Sequence, residues 1–466
     1  LENSELELVV TNFHKLKKDL FLLTAKNNKT AVLYHRPSLK AYYLEQQYKQ
    51  FFSCLLNNTD PSHVFSWLEK NTQMLSKIWN ELEYFLRYES IGISENVERL
   101  TLLISQKCGQ NCKYCYAGGG TYANPSSMNF DTVKRALEVF SKLFNYIEKI
   151  QFFGGEPLLN INCIEKIVPY VNHLYEVGSL EKRPILNIVT GLGVSKKLIE
   201  KLKMIIQQFP DFEFEIVVSF DGPEKIQNYL RPFKGRFPSY EIVKENMDYL
   251  QENGLLQLVE VTYTNYHVKN GIKPFDLRSF FYEKFKLENV IIVPVISNDP
   301  TLALTNRDFF IANEYQTVIN RYQNGNKKEI DSVERLANQV LNAPPTCLYC
   351  GSGITEFVVD SEGDVFPCQL LASNKNFLVG NVYDTKEKLR QNLITSKQKY
   401  SKIFDKSEDN ECQTCFLQFF CRGCPIAPYL LGNSMHIPHE SCPLFKEVVK
   451  NSILIKAEKD FVESNS

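Results

Sequence analysis

Three thiols within eight residues constrain this chain more than any other feature. They lie in Cys108-Gly-Gln-Asn-Cys112-Lys-Tyr-Cys115, spaced Cys-x3-Cys-x2-Cys. Leu100-Thr-Leu-Leu-Ile104, just before them, reads as a short buried strand. Gly118, Gly119 and Gly120, just after, hold no regular structure cheaply. The cysteines are therefore expected on a loop at the C-terminal end of a strand. Their number is informative. Structural zinc closes its shell with four ligands, whereas a [4Fe–4S] cluster held by three cysteines leaves one iron open. A partial zinc site or a chance cluster of buried thiols is the competing reading.

The spacing, with aromatic Tyr114 just before the third cysteine, resembles the cluster motif of radical S-adenosylmethionine (SAM) enzymes. The resemblance implies that Cys108, Cys112 and Cys115 hold a cluster whose open iron is chelated by the amino and carboxylate groups of SAM. It also implies that one electron then cleaves SAM to methionine and a 5′-deoxyadenosyl radical. The cofactor does the hard chemistry and the protein positions it.

The 466 residues suffice for two to four domains with cores of their own. A net charge of −1 gives no global basic field to recruit nucleic acid. No apolar run approaches a membrane span and no secretory signal opens the chain, so a cytoplasmic protein is expected. Thirteen cysteines exceed any packing need. Cytosolic disulfides are rare, so clustered thiols there point to metal.

Residues 1–92 carry no chemical motif. Leu20-Phe-Leu-Leu-Thr24, a polar turn and Thr30-Ala-Val-Leu-Tyr34 read as a hairpin. Leu39 to Tyr43 suggests a third strand. Glu45 to Leu56 is apolar at helical spacing, and a further helix is expected over His63 to Glu69. This order resembles the small winged-helix domain with which peptide-modifying enzymes hold a precursor's leader peptide; a structural extension is the alternative.

From 93 to 298, strand-like and helix-like runs alternate. Strands are expected at 99–104, 148–153, 184–190, 214–219, 257–264 and 288–296. Helices are expected at Asp131–Asn145, Ser195–Gln207, Tyr240–Gln251 and Phe275–Phe285. Six βα units in series mean a parallel sheet, with functional groups at the C-terminal strand ends. The resemblance implies an α/β fold, a partial (β/α)6 radical SAM barrel. At the second strand end, Gly154, Gly155, Glu156 and Pro157 match the family's contact to the SAM amino group. Ser219 matches a position whose hydroxyl meets SAM. Arg231 is a candidate partner for the SAM carboxylate, with a plain surface arginine as the alternative, and Asp221 suits organising its turn. Thr190-Gly191-Leu192 departs from the Thr-Asn-Gly of many relatives. Thr262-Tyr263-Thr264 ends the fifth strand, a place from which to line the cavity.

Residues 299–346 read as a polar, helical bridge. In 347–466 the cysteines return. Cys347 and Cys350 precede a hairpin, Glu356–Asp360 and Val365-Phe366, that ends at Cys368. Cys412, Cys415, Cys421, Cys424 and Cys442 follow. The pattern resembles the SPASM iron–sulfur extension of radical SAM peptide-modifying enzymes, with one residue fewer than usual before Cys424. By resemblance, one auxiliary cluster takes Cys347, Cys350, Cys368 and Cys424. The other takes Cys412, Cys415, Cys421 and Cys442. A set without Cys347 would leave an iron free. Two zinc sites are the bland alternative. Cys54 and Cys163 suit core packing.

The whole resembles a maturase of ribosomally made peptides of the sactipeptide and ranthipeptide type, which install thioether crosslinks. That implies three [4Fe–4S] clusters, SAM, a precursor peptide with a leader sequence, and an electron donor such as a flavodoxin or ferredoxin. Neither nucleic acid nor membrane is an expected partner. The base that deprotonates a peptide thiol is not visible in the sequence. Carbon–carbon crosslinking and formylglycine formation are the enzymatic alternatives. Gln369 stands where many formylglycine-forming relatives carry Asp after the cysteine. A zinc-organised adaptor is the non-enzymatic alternative.

Overall fold

A computed structural model describes residues 13, 15–25, 30–59, 80, 96–305, 310–316, 319–320, 330–372 and 374–464. The helix expected over His63 to Glu69 and the Asn324-Gly-Asn-Lys-Lys stretch lie outside the described residues.

Near the N-terminus, β1 (Leu20–Thr24), β2 (Ala31–His35) and β3 (Lys40–Leu44) form an antiparallel meander, and α1 (Gln46–Leu56) packs against it. Tyr48, Phe51, Phe52 and Leu55 of α1 join Leu33, Tyr42 and Leu44 in a small core of their own. The expected hairpin, third strand and helix all form.

The alternating region gives β4 (Val97–Ser105), β5 (Ile147–Gly154), β6 (Ile185–Thr190), β7 (Phe214–Ser219), β8 (Leu258–Tyr263) and β9 (Val290–Pro294). All are parallel and adjacent in chain order. The connecting helices are α2 (Phe130–Leu143), α3 (Ile161–Glu176), α4 (Lys196–Gln208), α5 (Glu224–Leu230), α6 (Tyr240–Glu252) and α7 (Pro274–Phe285). The first of them has a clear local cause. In α2, Asn129 caps the first turn by accepting from the Thr132 amide at 2.7 Å. Its apolar stripe, Val133, Ala136, Leu137 and Phe140, is fully buried.

The strands are not simply apolar runs. Thr101 Oγ1 donates to Gln151 Oε1 at 3.0 Å, Gln151 Nε2 to Asn187 Oδ1 at 2.8 Å, and Asn187 Nδ2 to Glu215 Oε2 at 3.2 Å. Lys149 closes this belt on Glu215 at 2.5 Å. Buried polar groups stay because each has a partner.

The C-terminal hairpin does not stand apart. Its strands β10 (Glu356–Val359) and β11 (Asp364–Phe366), with β12 (Gly380–Asn381), extend the barrel sheet, with β10 parallel to β4. The nine-stranded order is β12-β11-β10-β4-β5-β6-β7-β8-β9. An Arg99–Glu356 ion pair and a Ser361 amide donating to Gln106 Oε1 at 3.1 Å tie the two parts. Three long helices follow among the described residues: α8 (Ile330–Leu341), α9 (Lys386–Phe404) and α10 (Cys442–Ser464). The last packs on α8 and reaches the N-terminal sheet, where Phe461 stacks on Tyr43 with centroids 4.3 Å apart. No described helix is long and apolar enough to cross a membrane.

Candidate active site

At the C-terminal ends of β4–β9 lies a cavity of about 250 Å³. Cys108, Cys112 and Cys115 line it, as do Tyr114, Gly154, Gly155, Ser219, Arg231 and Thr262. The structure thus gathers at one cavity most of the residues expected to hold the first cluster and SAM.

Backbone contacts seat the three-cysteine loop. The Gly155 amide donates to Ser105 O at 2.7 Å and the Glu156 amide to Lys107 O at 2.8 Å. A Cβ on Gly155 would lie 2.4 Å from Lys107 O and 2.6 Å from Gly120 O. Only glycine lets these two loops approach so closely. On the opposite side, Gly191 of Thr190-Gly191-Leu192 lies against a side chain of the cysteine loop: a Cβ there would lie 2.2 Å from Gln110 Oε1.

Glu156 and Pro157 do not line the cavity with their side chains. Glu156 is buried beneath it, accepting from Thr190 Oγ1 at 2.8 Å, the Leu158 amide at 3.1 Å and the Gly191 amide at 3.0 Å. Burial raises its pKa to about 7 against those three donors. Pro157 opens the short 3-10 turn Pro157–Asn160. Both shape the loop whose glycines face the cavity.

Arg231 is not a surface residue. Only 8% exposed, it pairs through Nε with Asp221 Oδ2 at 3.1 Å, and its Nη1 lies 3.8 Å from Cys112 Sγ. Tyr114 donates to the same Asp221 oxygen at 2.5 Å, and Asp221 Oδ1 accepts from the Thr262 amide at 3.1 Å. Asp221 thus organises both its turn and the cation beside the thiols. The pairing holds the guanidinium at the cavity wall, beside Cys112.

The thiols are chemically suited to a cationic cluster. Burial pushes Cys108 up to about 12 and Cys112 to about 11, with Glu156 and neighbouring thiols adding to the effect at Cys108 and Arg231 opposing it at Cys112. Such thiols give up their protons when a bound metal supplies the compensating charge.

Other residues of the cavity lay outside any motif: Tyr116, Glu260, Val293 and Leu370. Burial raises the pKa of Glu260. Its only signal was an acid at an inward position of the alternating strand Leu258-Val-Glu-Val-Thr-Tyr263. Leu370, two residues past Cys368, brings the C-terminal cysteine region to the cavity wall.

The eight later cysteines form two neighbourhoods. Cys350, Cys368 and Cys424 act on one another electrostatically. Cys347 packs beside them but responds to Asp405 and Lys406. Cys412, Cys415, Cys421 and Cys442 form the second group. Burial first, and mutual repulsion after it, pushes Cys368 and Cys421 to about 12. Cys163 is buried in the barrel core and Cys54 is half-buried on α1, in keeping with packing roles.

Residues 102–278 match the Radical SAM superfamily, and residues 350–416 match SPASM, an iron–sulfur cluster-binding domain. The chain is 26% identical to the radical SAM cyclopropyl synthase TigE of Paramaledivibacter caminithermalis over 417 residues, covering 82% of this chain and 80% of the relative. Among solved structures it resembles anSMEcpe with bound AdoMet and Cp18Cys peptide, with TM-score 0.57 and 18% identity over 78% of this chain and 99% of that one. It also resembles Streptococcus suis SuiB bound to precursor peptide SuiA, with TM-score 0.50 and 14% identity over 91% of this chain and 98% of that one.

Proposed function

The chain belongs to the radical SAM superfamily and carries a SPASM iron–sulfur domain, and from that premise we propose that it matures a ribosomally made precursor peptide by oxidative crosslinking. Radical SAM and SPASM domains imply [4Fe–4S] clusters and SAM. In our reading there are three clusters: one on Cys108, Cys112 and Cys115, and two on the C-terminal groups. Bound at the cavity, the first cluster and SAM supply a carbon-centred radical by one-electron reduction.

The chain's own residues do the rest. Arg231, held by Asp221 and Tyr114, would pair with the SAM carboxylate, exposed backbone at Gly154 and Gly155 would accept its ammonium, and the Ser219 hydroxyl would also meet SAM. A flavodoxin- or ferredoxin-type donor supplies the electron. The N-terminal sheet holds the leader peptide, and β3 offers an edge that is unpaired on its outer side among the described residues. Similarity to SuiB, a protein solved with its precursor peptide, supports that assignment.

One observation carries the oxidative reading. The Cys368 region reaches the cavity wall through Leu370, so a cluster held by that region would stand close enough to the substrate to accept an electron. Joining a thiol to a C–H carbon releases two protons and two electrons. One electron and one proton leave as the hydrogen atom taken by the radical, and the other electron needs that acceptor. We assign the bond as a thioether between a peptide cysteine and an acceptor carbon. Similarity to the cyclopropyl synthase TigE over most of the chain favours a second reading, a carbon–carbon bond.

Anaerobic co-expression with any short peptide encoded beside the gene, followed by mass spectrometry, separates the two. A loss of about two mass units with cysteines that resist alkylation under reduction supports the thioether. The same loss with every cysteine alkylatable moves the assignment to carbon–carbon bonding, and a Cys or Ser converted to an aldehyde moves it to formylglycine. Colourless, zinc-loaded protein that leaves every peptide unchanged rejects the enzymatic reading.

A further inference from the structure

One side chain from the segment that supplies Cys347 and Cys350 reaches a sulfur of the other C-terminal group. Tyr349 is 3% exposed. Its amide donates to Phe404 O at 2.9 Å and its carbonyl accepts from the Gly423 amide at 3.3 Å, so its backbone is fixed on both sides. Its phenol oxygen lies 2.9 Å from Cys412 Sγ and 3.0 Å from Asp409 Oδ2. His439 Nε2 stands 2.9 Å from that same carboxylate oxygen, and its Nδ1 lies 3.5 Å from Cys442 Sγ. Asp409 Oδ1 accepts from the amides of Glu411 and Cys412. Phenol, carboxylate and imidazole therefore form a polar strip along the Cys412–Cys442 side of that group.

The other cysteine groups have different neighbours. Cys350 Sγ meets the hydroxyl of Ser352 at 3.0 Å. Cys112 Sγ meets the Arg231 guanidinium at 3.8 Å.

We propose that Tyr349 is a positioning residue that donates a hydrogen bond to Cys412 sulfur, raises the reduction potential of the cluster on Cys412, Cys415, Cys421 and Cys442, and links the two auxiliary sites. The direction of the bond follows from chemistry. With a neutral thiol the phenol donates to Asp409 Oδ2, but a sulfur bound to iron is a thiolate and only accepts, so the phenol's single proton would turn to Cys412. His439 Nε2 donates to Asp409 Oδ2 and relieves that oxygen's demand for the same proton. A hydrogen bond to cluster sulfur disperses the added negative charge of the reduced state, which shifts the potential upward. Tyr349 is also joined through its backbone to Cys350, which gives a continuous path between the two groups. The inference rests on the reading that both groups hold clusters.

The test is a potentiometric titration followed by electron paramagnetic resonance on the anaerobically reconstituted full chain. Tyr349→Phe keeps the ring and removes the donor. It is expected to retain full iron and to move one midpoint downward, changing the reduced-to-oxidised ratio about fivefold at fixed potential, or about 40 mV for one electron. Ser352→Ala is expected to move a different midpoint. If Tyr349→Phe loses iron, fluorotyrosine at position 349, a stronger donor of nearly the same shape, decides the matter: it is expected to raise the same midpoint, and an unmoved midpoint overturns the proposal. Unmoved midpoints, or two midpoints moving together, overturn the proposal. Wild-type protein with iron for fewer than three clusters, or with zinc held by Asp409, Cys412 and His439, whose ligand atoms lie within 4.8 Å of one another, overturns the cluster reading and the role of Tyr349 with it.

Discussion

The first cysteine group and the second C-terminal one are built in different ways. Cys108, Cys112 and Cys115 share one loop, seated by backbone hydrogen bonds to the Gly154–Glu156 turn. The second group draws on residues 412–421 and on Cys442 at the head of α10. Its turn is braced from far away in sequence. Arg36, just past β2, donates through Nη1 to Gln413 O at 2.6 Å and to Cys415 O at 3.4 Å. The ring of Phe416 meets the edge of Tyr34 at 5.8 Å. A site made by one loop keeps its geometry by local rules, and three thiols would leave a cluster one position for a reacting ligand. A site assembled from distant segments depends on how the tail and the N-terminal sheet dock, and four thiols would leave no such position. The contrast fits the proposed division, with bond cleavage at the loop and electron handling in the tail.

The largest expected effect comes from emptying the loop. Replacing Cys108, Cys112 and Cys115 together by alanine should abolish 5′-deoxyadenosine formation and lower iron from about twelve to about eight atoms per chain. Continued SAM cleavage would break the comparison at its root. Next is Cys442→Ala. SAM cleavage should continue at near wild-type rate while the crosslinked product disappears, as read by mass spectrometry. If both activities fall together, the tail is structural rather than electronic.

Gly155→Ala probes the loop without touching a thiol. Its Cβ would meet Lys107 O and Gly120 O well inside contact distance. Backbone cannot swing aside there, so the cysteine loop must move. A misplacement of about 1 Å at a reacting centre costs on the order of a hundredfold in rate. SAM cleavage should fall by that factor, with the C-terminal iron retained. A near-normal rate would show that the close approach of the two loops is not what positions SAM.

Much of this was legible in the sequence because both the barrel and the loop follow local rules. Period-two and helical patterns placed all six parallel strands within a few residues, and the Cys-x3-Cys-x2-Cys spacing marked the cavity. Less legible was whatever depends on residues far apart. The hairpin at Glu356 looked like part of a separate unit, yet it pairs with β4, because pairing partners leave no mark on either strand alone. Arg231 read equally well as a surface residue, because its burial depends on Asp221 and on the cysteine loop more than a hundred residues earlier. Glu260 and the Thr101–Gln151–Asn187–Glu215 belt went unnoticed because inward polar residues in a strand resemble outward ones until the sheet closes.

The smallest expected effect concerns the brace between the N-terminal sheet and the tail. His35 ends β2 and is 1% exposed. Burial pulls its pKa down to about 4, with Arg36 adding to the effect and Asp19 opposing it. In the unfolded chain a histidine titrates near 6.5. Between those values the unfolded state binds the proton and the folded state does not. The stability that His35 contributes by staying neutral is therefore complete above about pH 6.5 and is lost as pH falls toward 4, to a total of roughly 3 kcal/mol. At pH 5 the loss is about 2 kcal/mol, or about thirtyfold in the opening equilibrium. Amide exchange of β1–β3, compared with β4–β6 at pH 7 and pH 5 and corrected for intrinsic rates, should show that loss in the first sheet alone. Because Arg36 holds the Gln413 and Cys415 carbonyls, iron taken by a chelator at pH 5 should come first from the second C-terminal group. His35→Gln should remove the pH step in exchange. Equal loss of protection in both sheets would mean that the tail is braced from elsewhere.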